Sequence, residues 1–302
     1  MLYDIKRYRK PYRFLLSAVL IAVFLFGLTG ECEGITDLEA AGENRFVCSF
    51  EGIKHGFIVD LPAEPENSPL VLMLHGYGGT AESFRLTAGF EQDANPLGYT
   101  VVYVTGAADP ADKTSSTGWN SGIGATGNDD TGFLVALTEA LRKLYPIDPD
   151  RVYAIGFSNG AFMAHRLALE AGNTFAAVVS VAGAMPESMW KNRPESCAVS
   201  VFQITGEKDD VIPKNSDGSA KYSRMPAIED VIGYYAEANG LETAETETIG
   251  KGSVLTRYSD AARGGRVWHL VVRDGRHSWS GESVTGIDTN QIILEFLEAL
   301  GN

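Results

Sequence analysis

The stretch RVYAIGFSNGAFMAHRLALEAG, residues 151–172, limits the fold more than any other part of the chain. It opens with β-branched and aromatic residues, breaks at Gly156-Phe157-Ser158-Asn159-Gly160, and resumes at once as a helical pattern. A strand that gives way to a helix within so few residues needs a very tight corner. The apex residue takes a strained backbone conformation, and side chains two positions before and after it would collide, so glycine is needed at both. Ser158 is that apex, and its hydroxyl is projected clear of the sheet. The next N–H, that of Asn159, points the same way at a helix start, where developing negative charge is favoured. With 33 glycines in the chain, a G-x-S-x-G match by itself is a modest signal. The strand before it and the helix after it give it weight.

The rest of the sequence repeats this alternation. RFVCSF, HGFIVDLP, SPLVLML, YTVVYVTG, AAVVSVAG, AVSVFQITG and RVWHLVVRDG read as strands, several of them continuous apolar runs that end in glycine-rich loops. DDTGFLVALTEALRKLYP carries Phe133, Leu134, Leu137, Leu141 and Leu144 on one helical face and stops at Pro146. AIEDVIGYYAEANG and the C-terminal IILEFLEAL, with Ile292, Ile293, Phe296, Leu297 and Leu300, read as further helices. Strands alternating with helices of this length predict an α/β fold, a mainly parallel sheet covered on both faces. In such folds the chemistry sits at the carboxyl ends of the strands.

Residues 1–30 stand apart. Lys6, Arg7, Arg9, Lys10 and Arg13 precede the apolar run Phe14–Leu28, the pattern of a secretory signal peptide, with an uncleaved membrane anchor as the alternative. This segment has net charge +4, so a chain of net −14 leaves −18 on the remainder. An acidic, exported domain is expected, with no nucleic-acid partner and membrane contact only through residues 14–30. Residues 31–43 are small and polar and read as a linker, leaving 44–302 as one catalytic domain. Cys32, Cys48 and Cys197 are too few for a disulfide scaffold. A lipid on Cys32, ordinary thiols or a single disulfide all remain open. No Cys or His pair has ligand spacing, so no metal is expected.

A serine nucleophile needs a base, and five histidines are available. His165 lies two turns along the serine's own helix and cannot reach back. His55 and His269 sit inside strand patterns, and His75 shapes the loop after SPLVLML. His277 follows a strand in the short loop GRHSWSG, late in the chain, and is the expected base. The acid should lie between serine and base after another strand, where ITGEKDDVIP supplies Asp209 and Asp210. A second oxyanion donor is expected in LMLHGYGGT, whose glycines let backbone approach a substrate, most directly the N–H of Tyr77.

LMLHGYGGT, NDDTGF, DPDRVYAIGFSNGAFMA, ITGEKDDVIP and GRHSWSG together resemble the polyhydroxybutyrate depolymerase and feruloyl/acetylxylan esterase group of exported α/β-hydrolases, over about Phe46 to Leu300. The resemblance implies an α/β-hydrolase fold without a large cap domain, and a serine esterase with no cofactor. Motif for motif, the nucleophile falls on Ser158, the acid on Asp209 and the base on His277. Relatives in this group often carry a cysteine where this chain has Tyr77 and a proline where it has Asp210.

Short or aromatic acyl esters, as on polysaccharides, are the expected substrates, with hydroxybutyrate oligomers as an alternative. A non-catalytic surface-binding module on a hydrolase scaffold is the alternative of another class. The polar, glycine-rich segment Thr105–Asp130 leaves the carboxyl end of a strand on the same edge as Ser158 and should wall the pocket. It offers Trp119. With Tyr77 and Trp279 this would give the site three aromatic rings suited to sugar faces or phenolic acyl groups.

Overall fold

The computed structural model describes residues 34–108, 116–123, 127–212, 225–260 and 265–301. The leader, Cys32 and parts of the Thr105–Asp130 segment lie outside the described residues.

The strands are β1 (Ile35–Ala40), β2 (Arg45–Phe50), β3 (Ile53–Asp60), β4 (Ser68–Leu74), β5 (Thr100–Val104), β6 (Ala107–Ala108), β7 (Thr117–Gly118), β8 (Ile147–Phe157), β9 (Ala177–Val181), β10 (Ser200–Gly206), β11 (Thr243–Ile249), β12 (Ser253–Ser259) and β13 (Arg266–Val272). Eleven of them form one sheet in the order β1-β2-β3-β5-β4-β8-β9-β10-β13-β12-β11, and β6 and β7 form a separate ribbon. The central run from β5 to β13 is parallel throughout. Both flanks are antiparallel. The expected parallel sheet is therefore the centre of a mixed one. β4, β5, β9 and β10 are buried along their whole length, as continuous apolar runs require when both faces are covered.

Helices α1 (Ala81–Ala88), α2 (Phe90–Ala94), α3 (Asp130–Leu144), α4 (Asn159–Glu170), α5 (Glu187–Lys191), α6 (Ile228–Ala238), α7 (Glu282–Thr285) and α8 (Thr289–Leu300) flank the sheet. One core holds Phe133 and Leu137 of α3, Phe162 and Leu167 of α4, and Ile232 and Tyr235 of α6. The other holds Phe84 of α1, Phe90 of α2, and Ile293 and Phe296 of α8. No separate cap domain stands among the described residues.

One expectation needs correction, and one element lay outside the expectations. Residues 35–40, read as linker, form β1, which pairs with β2 and buries Ile35. RFVCSF would otherwise be a bare sheet edge, and β1 satisfies its backbone. The β11–β12 hairpin was not anticipated either. The strand TAETETI is exposed nearly throughout, so no apolar alternation marks it, and it is held in place by pairing with β12.

Candidate active site

Chain order reverses around β4, which has β5 on one side and β8 on the other. The crevice at the carboxyl ends of strands beside such a reversal is where open α/β sheets bind ligands. Ser158 leaves β8 at this point with φ 52° and ψ −115°, a left-handed backbone that a non-glycine residue takes only when its surroundings enforce it. The enforcement is visible in the two glycines. A β-carbon on Gly156 would lie 2.0 Å from the carbonyl oxygen of Gly160. The loop after β4 presses on the same corner, since a β-carbon on Gly76 would lie 3.3 Å from Cβ of Ser158.

His277 and Asp209 meet Ser158 from the loops after β13 and β10. Asp209 Oδ2 lies 2.9 Å from Nδ1 of His277, whose Nε2 lies 2.9 Å from the Ser158 hydroxyl. A carboxylate can only accept, so Nδ1 carries the imidazole proton and Nε2 accepts from the serine. Asp209 Oδ1 accepts the N–H groups of Val211 and Ile212 at 2.9 and 2.8 Å, which fixes the carboxylate plane. Asp209 is buried whereas Asp210 is exposed, so the ambiguity between them is absent from the geometry. Phe157 stands 5.2 Å from the His277 ring, centroid to centroid. Such an arrangement can activate a hydroxyl and return the proton to a leaving group.

Of the two amides expected to face an oxyanion, that of Asn159 opens α4, where the helix itself offers no acceptor. Tyr77 lies in the loop that abuts Ser158, and the residue is 56% exposed. The loop is rigid. His75 accepts the Gly106 N–H on Nε2 at 2.9 Å, so its proton sits on Nδ1 and is donated to the Gly76 carbonyl at 2.7 Å. Burial lowers the His75 pKa to about 4, against a smaller raising effect of that carbonyl. His165 is likewise neutral and structural. Its Nε2 donates to Gln203 Oε1 at 3.1 Å, and its Nδ1 accepts from the Tyr235 hydroxyl at 3.2 Å. His55 donates to the Thr105 carbonyl and stacks on Phe133, and His269 lies within β13.

Of the three residues expected to offer rings at the site, only Tyr77 is largely exposed. Trp119 is 1% exposed and offers no face to a ligand. Its indole N–H donates to the His75 carbonyl at 2.9 Å, and its backbone is held by Asn159. Sequence could not orient it, because the groups that hold it come from the loop after β4 and from α4. Trp279 is half-buried. Its N–H donates to Asn290 at 2.9 Å, and its ring meets Phe84 and Phe157 edge-on, so it anchors the loop that carries His277. The role of the Asn159 side chain went unanticipated, since only its backbone was considered. It accepts the Trp119 N–H at 2.7 Å and donates to the Trp119 carbonyl at 3.3 Å and to Ser121 Oγ at 2.9 Å. Cys48 and Cys197 are buried free thiols, and burial pushes the Cys48 thiol up to about 12. Among the described residues no cluster of His, Cys, Asp or Glu could hold a metal ion.

Comparison with known proteins places this chain among esterases. The family described as "Esterase PHB depolymerase" matches residues 56–235. "Putative esterase NocK" of Nocardia uniformis subsp. tsuyamanensis is 31% identical over 73% of this chain and 68% of its own length. "Bifunctional acetylxylan esterase/xylanase XynS20E" of Neocallimastix patriciarum is 29% identical over 48% of this chain, a match spanning only 20% of that larger protein. Among solved structures, an acetyl xylan esterase from Aspergillus awamori shares the fold with a TM-score of 0.59 at 14% identity, over 81% of this chain and 94% of that one.

Proposed function

The chain belongs to the esterase PHB depolymerase family, a family of carboxylic ester hydrolases, and from that premise we propose that it is an exported serine carboxylesterase acting on short or aromatic acyl esters, including those borne by polysaccharides. The observation that carries the reading is the hydrogen-bonded sequence Asp209–His277–Ser158, at 2.9 Å and 2.9 Å, on a strained strand-to-helix corner. Ser158 attacks the ester carbonyl as His277 takes its proton. The N–H groups of Tyr77 and Asn159 stabilise the oxyanion of the tetrahedral intermediate. His277 protonates the departing alcohol, and water then attacks the acyl-enzyme by the same route. Asp209 holds the imidazole tautomer and stabilises the imidazolium.

The substrate class draws support from the site's surroundings. Tyr77 is exposed in the loop that abuts Ser158, Gly118 of the segment after β5 is seated against it, and no broad apolar lid for long acyl chains stands among the described residues. Hydroxyalkanoate oligomers are the second reading, favoured by the matching family. The basic flank and apolar run of residues 1–30 support export. N-terminal mass spectrometry of protein recovered outside the producing cell should find those residues missing.

The test of the enzyme reading is labelling by a fluorophosphonate, with Ser158→Ala as control. Wild type should be labelled and Ser158→Ala should lose about 10⁴–10⁶ in kcat with its fold intact. Retention of more than about a tenth of turnover in the variant would defeat the assignment. Rates on methyl ferulate, acetylated xylan, p-nitrophenyl acetate and hydroxybutyrate oligomers would then rank the substrates. A preference for acyl chains of about ten carbons or more would reject the substrate class.

A further inference from the structure

The two amides assigned to the oxyanion come from segments far apart in sequence, the loop after β4 and the start of α4. Their separation matters, because an oxyanion site works only when its donors are already set around the charge that will form. Among the described residues, Trp119 is bonded to both segments. Trp119 gives its backbone N–H to Asn159 Oδ1 and accepts from Asn159 Nδ2 on its carbonyl, while its indole N–H reaches the His75 carbonyl two residues before Tyr77. The neighbouring residues reinforce the bridge. The Gly78 N–H donates to the Thr117 carbonyl at 2.7 Å, and the Thr117 hydroxyl donates to the Gly79 carbonyl. A β-carbon on Gly118 would lie 3.0 Å from Cδ2 of Tyr77 and 3.3 Å from Oδ1 of Asn159, so the segment is seated against both donor residues. Asn120 extends the brace outward by donating its N–H to the buried Asp130 carboxylate at 2.5 Å.

We propose that Trp119 and the side chain of Asn159 are positioning residues that fix the spacing of the two oxyanion amides. The inference rests on the esterase reading of Ser158. It assigns these groups to the transition state and not to substrate binding. A ground-state carbonyl is held weakly, whereas the tetrahedral oxyanion needs both donors at full strength, so a loosened brace lowers kcat and leaves KM largely in place.

Trp119→Phe keeps a buried ring and removes the indole donor. Asn159→Ala removes all three side-chain bonds and keeps the backbone N–H. Each should lower kcat on p-nitrophenyl acetate about 10- to 100-fold with KM within about two-fold of wild type. The inhibition constant of a trifluoromethyl ketone, which forms a tetrahedral adduct, should rise in step with the loss in kcat/KM. Because the two side chains serve one brace, the double variant should lose little more than the worse single variant. If Trp119→Phe fails to fold, Asn159→Ala carries the test alone. Wild-type protein without ester hydrolysis would defeat the esterase reading itself. Active wild type with either folded variant unchanged in kcat, or altered in KM alone, would overturn the brace. Fully additive losses would overturn it as well.

Discussion

Gly160 lies so close to the end of β4 that a β-carbon on it would stand 2.1 Å from the carbonyl oxygen of Leu74. The nucleophile helix and the strand feeding the oxyanion loop are therefore in direct backbone contact, and only glycine permits it. Gly160→Ala cannot be absorbed by a rotamer change, since the obstacle is backbone on both sides. The expected result is insoluble protein or a loss of stability of roughly 3 kcal/mol or more, read from urea unfolding. A variant with wild-type midpoint and activity would show that the corner is looser than this contact requires.

The acid is tested by a pair of neighbours. Asp209 is buried and bonded to His277 and to two backbone amides, whereas Asp210 is exposed. Asp209→Asn offers the wrong partner to the imidazole N–H and should lower kcat on the order of 10⁴-fold. Asp210→Asn should leave kcat within about three-fold of wild type. Steady-state kinetics showing the reverse would shift the acid by one residue.

What could be read from the sequence follows from how local each constraint is. Ser158, Asp209 and His277 each follow closely on a strand pattern, and the glycines at Gly156 and Gly160 record a steric demand made within five residues. Those features survive in one dimension. Trp119 did not, because its indole is oriented by His75 and its backbone by Asn159, neither of which its own neighbourhood reveals. β1 and β11 escaped for a related reason. Edge strands are specified by the partner they pair with, and TAETETI has no buried face to leave a period-two signature.

Acid sensitivity should trace in part to His165. Burial lowers its pKa from 6.5 to about 4, offset in part by its bond to Gln203. The folded state thus keeps the ring neutral where the unfolded chain would protonate it. The stability this group contributes is fully present above about pH 6.5 and is lost as pH falls toward about 4. His75 behaves alike. In His165→Gln the slope of unfolding free energy against pH between those limits should flatten by about one proton. An unchanged slope, measured by urea unfolding across that range, would mean that His165 is charged in the fold.

Asp130 should act in the opposite sense. Its carboxylate is buried at the start of α3, Oδ2 accepts the Asn120 N–H, and Oδ1 finds no hydrogen-bond partner among the described residues. Burial raises its pKa from 3.8 to about 6, against the lowering effects of Asn120 and of Arg166. Above about pH 6 the folded state holds an ionised carboxylate that the unfolded chain would hydrate better, so the group destabilises the fold there. As pH falls from about 6 to 3.8 the folded state takes up the proton first, and this penalty disappears. Asp130→Asn removes the charge and keeps an acceptor for Asn120. The variant should therefore gain stability relative to wild type at pH 7–8, by on the order of 2 kcal/mol, and the gain should vanish near pH 4. Urea unfolding of both proteins at pH 8, 6 and 4 reads this directly. A difference that is constant with pH would mean that Asp130 ionises in the fold as readily as in water, and would require a partner for Oδ1.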